Sequence, residues 1–317
     1  MGSRSSVLTG VTATVLAMIS VQSGAAIAIG LFAAVGPLAV VALRLASASG
    51  FLVATARPTT APLRSAAAGP LIGFGLVIAG MNGCFYLAIE RVPLGVAVAL
   101  EMVGPIVVAI AGFRRPRDLA AVALAVPGVV VLAVAHGVNG PVTTAGVLLA
   151  LGAGACWAGY ITLSAHHARR LPGAQGLALA MVIATVPAAA VAIATAGTDL
   201  LSLHVLAVGA AVGLLSTALP GTLDAAALRR LRSATYALVL SLAPAVAALS
   251  GLAIRGQRLS AAQWVGIGLV MVASAAAVAG AEPPDAGPEM IDRYLRGVLD
   301  GENRVSQGRR GRQYREY

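Results

Sequence analysis

Windows of about twenty apolar residues recur from residue 9 to residue 280 with only short polar breaks between them, and this pattern restricts the fold more than any other feature. Each window is long enough to cross a hydrocarbon core of about 30 Å as a helix, and about twice the length of a membrane barrel strand. Inside lipid every backbone N–H and C=O needs a partner within the protein, which leaves only helices or closed barrels. The windows therefore predict an all-α membrane protein with ten transmembrane helices, near 9–30, 36–56, 68–89, 93–113, 118–136, 144–165, 175–196, 203–226, 233–254 and 260–280.

Composition agrees, with 58% hydrophobic and 11% charged residues, where a soluble protein carries about a quarter charged. A net charge of +10 raises nucleic acid as a partner, but the placement of the charges removes it. All 22 basic residues are Arg; the tail after Ala281 holds seven Arg and seven acids, and the membrane part holds fifteen Arg against five acids. With the N-terminus inside, eleven Arg (4, 57, 64, 114, 115, 117, 169, 170, 229, 230 and 232) fall on inner loops and three (91, 255 and 258) on outer ones. Positive inner loops set orientation, so the expectation is N-in and C-in.

The two halves also resemble each other. Setting Pro105 over Pro244, an offset of 139, brings Arg91 onto Arg230 and Gly112 onto Gly251. Five helices per half is an odd number, so the second half enters the membrane from the opposite side as an inverted repeat, a recurring plan of secondary transporters. The predicted organisation is a cytoplasmic N-terminus (1–8), a first repeat (9–136), a linker (137–143), a second repeat (144–280) and a cytoplasmic tail (281–317). In the tail, Met290, Ile291, Tyr294, Leu295, Val298 and Leu299 predict one short amphipathic helix.

Small residues let helices approach closely in lipid; Gly69-xxx-Gly73 and Gly209-xxx-Gly213 have the spacing for it. Cys84 and Cys156 both lie inside apolar spans and are expected as structural thiols rather than a disulfide.

An ionisable side chain at mid-helix costs about 2.5–3.5 kcal/mol on insertion scales and therefore faces a cavity or a partner. Arg44 in the second span and Glu101 in the fourth are the clear cases. Each lies eight residues from the outer end of its span, roughly 12 Å deep at 1.5 Å per residue. Pro105 has no N–H, so the carbonyl of Glu101 itself loses its helical partner, and Pro244 frees the carbonyl of Leu240 in the same way. A carboxylate and an unpaired carbonyl then converge at one kink. Substrate or proton binding at Glu101 and Arg44 stands beside a plainer reading, an ion pair between the two. Asn82, Tyr86, Trp157 and Tyr160 are polar-tipped residues in spans three and six that either line a pathway or bond between helices. Asp224, near the inner end of span eight and within reach of Arg229 and Arg230, has the pattern of an interfacial salt bridge.

No catalytic constellation is present. His166-His167 has no third ligand, and the chain lacks H-E-x-x-H, a Walker loop and G-x-S-x-G. An enzyme is not expected, nor a metal or other cofactor.

Four stretches carry a family resemblance: GMNGCFYLAIERVPLGVAVALEMVGP (80–105), LGAGACWAGYI (151–161), LSTALP (215–220) and APAVAALSG (243–251). They resemble EamA-type carriers of the drug/metabolite transporter superfamily, and within it the threonine/homoserine exporter group. The resemblance covers all ten spans and excludes the tail. It implies a proton-coupled exporter of amino acids or related small metabolites in the cytoplasmic membrane, with Glu101 and Arg44 matching charged positions of that group. The partners implied are a small-molecule substrate, protons and the lipid bilayer, and a homodimer is compatible with them. Three positions depart from the group: Ala243 stands where an acid precedes the span-nine proline, Gly221 where an aromatic follows LSTALP, and Gln257 where a Glu follows the glycine before span ten. These departures keep open an exporter of bulkier, more apolar compounds. A membrane scaffold or sensor acting through its tail is the alternative outside transport.

Overall fold

Segments rich in Ala, Leu, Val and Gly that reach lipid can satisfy their own backbone only as helix. The computed structural model, which describes residues 2–65, 68–111, 118–135, 142–168 and 175–280, is helical almost throughout, with no strand among the described residues. Its α-helices are α1 (Gly2–Ile29), α2 (Phe32–Val35), α3 (Pro37–Ala56), α4 (Ala68–Ile89), α5 (Leu94–Glu101), α6 (Val103–Ala111) and α7 (Asp118–Val134). They continue with α8 (Thr144–Ala168), α9 (Gln175–Ala196), α10 (Leu203–Gly213), α11 (Leu219–Leu228), α12 (Ser233–Leu240), α13 (Ala243–Arg255) and α14 (Ala261–Gly280).

Among the described residues, eight helical segments are long and apolar enough to cross a membrane: 6–29, 37–56, 68–89, 144–164, 175–201, 203–228, 234–255 and 261–278. Two shorter apolar helices, Leu94–Ala109 and Ala121–Val134, occupy the fourth and fifth expected windows. Both adjoin residues 112–117, which are outside the described set along with the tail and its predicted amphipathic helix.

Proline explains where helices break. Pro105 and Pro244 each lie in the second part of a broken span: α5 gives way to α6 at Met102, and α12 to α13 at Ser241 and Leu242. The 139-residue offset that superimposes the two prolines also superimposes both ends of α5 on both ends of α12. Pro220 acts more gently, since α10 and α11 join through a π-helical turn over Leu214–Ala218 that remains a continuous helix. Such wide turns form where the regular ladder is interrupted. Here the Ser20 hydroxyl of α1 donates to the Leu215 carbonyl at 2.6 Å.

The main helix contacts are α3 with α9, α4 with α8, α7 with α14, α5 with α13, and α1 with both α11 and α13. Glycine sets several of these distances. Side chains of α3 lie so close to Gly209 and Gly213 that an added Cβ would come within 2.8 Å of the Leu43 Cβ and 2.5 Å of the Ser47 Cβ. Gly69 and Gly73, with the same spacing, have nothing within 4 Å of such a Cβ, so that pair does not serve close packing here. Cys84 and Cys156 are free thiols, each beside a glycine of the opposite helix in the α4–α8 contact. Helix α14 opens with a reciprocal capping box: the Ser260 N–H donates to Gln263 Oε1 at 2.9 Å, and the Gln263 N–H to Ser260 Oγ at 3.3 Å.

Candidate functional site

The broken helices and α1 surround a cavity of about 270 Å³. Arg44 from α3 and Glu101 from the last position of α5 both line it, each seven residues from the first residue of its helix. Asn82 of α4 and Trp157 of α8 line it too, so four of the six polar residues singled out from sequence meet in one space.

Their partners differ. The Arg44 Nη1 donates to the Tyr86 hydroxyl at 3.5 Å, with its guanidinium carbon 5.5 Å from the ring centroid, a cation–π arrangement. Tyr86 is fully buried beneath Arg44, behind the lining rather than in it, with Phe32 and Phe85 each 6.0 Å away centroid to centroid. Asn82 turns its Nδ2 back to the Ile78 carbonyl at 2.9 Å, leaving its amide oxygen as the group available to the cavity. Tyr160 lies outside the lining, its ring 5.4 Å from Phe74.

Two expectations change. Among the described residues no ion pair joins Arg44 to Glu101; the pair within 4.0 Å is Arg91–Glu90 at 2.6 Å, on the surface. The carbonyl freed by Pro105 also does not open into the cavity beside the carboxylate. An added Cβ on Gly154 of α8 would stand 2.6 Å from the Glu101 carbonyl oxygen, and one on Gly104 would overlap the Gly154 carbonyl. Two glycines thus let α8 cover the kink, and the carboxylate alone faces the cavity.

Asp224 requires the largest correction. It is not paired with Arg229 or Arg230 among the described residues: both guanidinium-bearing side chains are exposed, and Arg230 Nη1 donates to its own helix at the Ala226 carbonyl, 2.8 Å away. Asp224 turns into the cavity instead, where Tyr236 is its neighbour and lines the same space. The adjacent arginines had the right spacing for a salt bridge, but helix periodicity turns Asp224 inward and Arg229 and Arg230 outward. Sequence reasoning also missed Gln22 and Met18 of α1, which contribute to the wall. Gln22 was legible as a polar side chain in the middle of the first span.

The departures from the family pattern separate in the same way. Ala243 lines the cavity, whereas Gly221 is exposed and outside the lining, so the missing aromatic there does not enlarge this space. Gln257 is not in the cavity at all. Its Oε1 accepts from the Leu94 N–H at 3.0 Å and so caps the start of α5.

A multi-pass helical bundle around a central cavity with charged walls is the architecture of a membrane transporter. The sequence profile of the EamA-like transporter family matches residues 144–279. The threonine/homoserine exporter RhtA of Escherichia coli strain K12 is 41% identical over 259 residues, which is 82% of this chain and 88% of the relative. RhtA of Salmonella typhimurium strain LT2 gives the same identity and coverage. A protein of known crystal structure shares the fold, with a TM-score of 0.53 over 86% of this chain and 96% of its own at 21% identity. The chain belongs to the EamA-like transporter family, and it is a transporter rather than an enzyme.

Proposed function

We propose that the protein exports small zwitterionic metabolites, of the size and charge of threonine and homoserine, across the cytoplasmic membrane in exchange for protons. Arg44 attracts the substrate carboxylate. Glu101 holds either the substrate ammonium or a proton, and competition for that one carboxylate is sufficient to couple the two flows. The observation that carries this reading is that Arg44 and Glu101 line one cavity without a direct ion pair between them. A pair already bonded together would have to be broken before binding a zwitterion, whereas here each charge is free for one end of it. The names of the relatives support the substrate class. So does the cavity, which at about 270 Å³ is at the lower edge of the range for ligand sites (~300–1,000 Å³) and suits a metabolite better than a bulky drug.

The same reading takes the ten apolar segments as ten spans, arranged as two inverted five-helix repeats with both termini inside. Several observations support it. Under the repeat, α3–α9 and α7–α14 are contacts between counterparts, α5–α13 joins the first part of one broken segment to the second part of the matching one, and the α4–α8 contact is exchanged with that of α1 and the α10–α11 segment. The coincidence of α5 with α12 fits the same symmetry, as does a family profile that spans the proposed second repeat.

Comparing intracellular metabolites between a deletion strain and an overexpressing strain tests the cargo. Threonine or homoserine should accumulate in the former and be depleted in the latter. Unchanged levels of both, in cells challenged with each, would overturn the assignment.

A further inference from the structure

The cavity contains a second acid that the proposed mechanism does not use. Asp224 lies four residues before the end of α11 and Tyr236 three residues after the start of α12, so the two flank the turn that holds Arg229, Arg230 and Arg232. At 1.5 Å per residue both are about 5–6 Å from that end of the bundle. Glu101 is measured from the other end, because the start of its helix at Leu94 is bonded to Gln257, beyond the far end of α13. The two acids therefore stand toward opposite ends of the one cavity they line, so a cargo entering from the Asp224 end meets them in succession.

The chemistry of the second position is specific. An ionised carboxylate has about four acceptor sites, and the neighbouring Tyr236 hydroxyl, which lines the same cavity, can fill one of them. No basic side chain among the described residues pairs with Asp224. The remaining acceptor capacity faces a cavity and suits a group with several N–H donors and a positive charge. Three arginines beside the same turn, all exposed, disfavour a cation that lacks an accompanying anion. A zwitterion satisfies both conditions: its carboxylate is attracted by the arginines, and its ammonium is received inside.

We propose that the Asp224 carboxylate and Tyr236 hydroxyl form a separate loading subsite for the primary ammonium group of a zwitterion, at the Arg229–Arg232 end of the cavity and ahead of Arg44 and Glu101. This rests on the carrier reading above and adds a position to it. Tyr236 holds Asp224 in the orientation that presents its free oxygen to the cavity, and Glu101 is left to exchange with protons deeper in.

The test uses the full chain in proteoliposomes. Counterflow of labelled homoserine gives its half-saturation concentration, and inhibition of that counterflow by 2,4-dihydroxybutyrate, which has a hydroxyl in place of the amino group, gives the affinity for a cargo without ammonium. Asp224→Asn should weaken homoserine by about 10- to 100-fold, the range for losing one hydrogen bond to a charged group, and weaken the hydroxy acid by a much smaller factor. Tyr236→Phe should shift homoserine in the same direction by less, and it carries the test if Asp224→Asn fails to give monodisperse protein. A wild-type carrier that moves homoserine, with variants that leave its half-saturation unchanged or weaken both compounds equally, overturns the subsite and leaves the carrier reading standing. A wild-type protein that moves no amino acid overturns both.

Discussion

Arg44 rests on Tyr86, with Nη1 3.5 Å from the phenolic oxygen and the guanidinium carbon 5.5 Å from the ring centroid. The planar cation is thereby held by an aromatic face and not by the nearby carboxylate of Glu101. A permanent charge thus lines the cavity without a direct ion-pair contact to Glu101, which leaves its donors available to a substrate anion.

That arrangement predicts an order among substitutions. Arg44→Lys keeps the charge but loses the planar face and the forked donors, and should raise the half-saturation concentration for homoserine about 10-fold. Arg44→Gln, which removes the charge, should raise it about 100-fold. Tyr86→Phe retains the ring and should have the smallest effect. Counterflow in proteoliposomes ranks the three, and an Arg44→Gln protein no weaker than Arg44→Lys would contradict the role of the charge.

The covered kink predicts a stability difference between glycines. A Cβ at Gly104 would overlap the Gly154 carbonyl, whereas one at Gly69 meets nothing within 4 Å. Gly104→Ala should therefore lose about 1–3 kcal/mol or more, the usual penalty of overpacking, while Gly69→Ala stays within about 0.5 kcal/mol of the parent. Thermal unfolding in detergent distinguishes them, and equal midpoints would mean that α8 does not press on the break.

Gln257 caps α5 from a loop 163 residues away in sequence. Gln257→Ala should cost about 0.5–2 kcal/mol, as for loss of a helix cap. Gln257→Glu keeps the acceptor and adds a negative charge at a helix N-terminus, which is favourable, so its midpoint should equal or exceed that of the parent. If Gln257→Ala unfolds at the same temperature as the parent, the bond contributes nothing.

How much was legible in advance follows from which physical signals are local. Apolar window length gave the helices, because lipid allows no alternative backbone arrangement. Pro105 and Pro244 gave the breaks to within a few residues, because a missing N–H acts four residues back in the same chain. Rotation about a helix axis was harder to read. Asp224 was assigned to the arginines next to it in sequence, yet its helix turns it toward Tyr236 and the cavity. Gly69 and Gly73 had the spacing of a packing motif and face open space. Gln257 looked like a changed site residue and is a cap, whose function a Gln or a Glu can fulfil because only one acceptor oxygen is used. Each of these depends on which way a helix or loop faces its neighbours, and a single sequence carries that information only through the packing it produces.

The central claim is that one carboxylate, Glu101, alternates between proton and substrate. Proton movement driven by a homoserine gradient in proteoliposomes, followed with a pH-sensitive dye, tests it most directly. The wild-type protein should move protons opposite to homoserine, and Glu101→Gln should abolish that proton movement. Proton movement by Glu101→Gln at the wild-type rate, driven by the same homoserine gradient, would contradict the account.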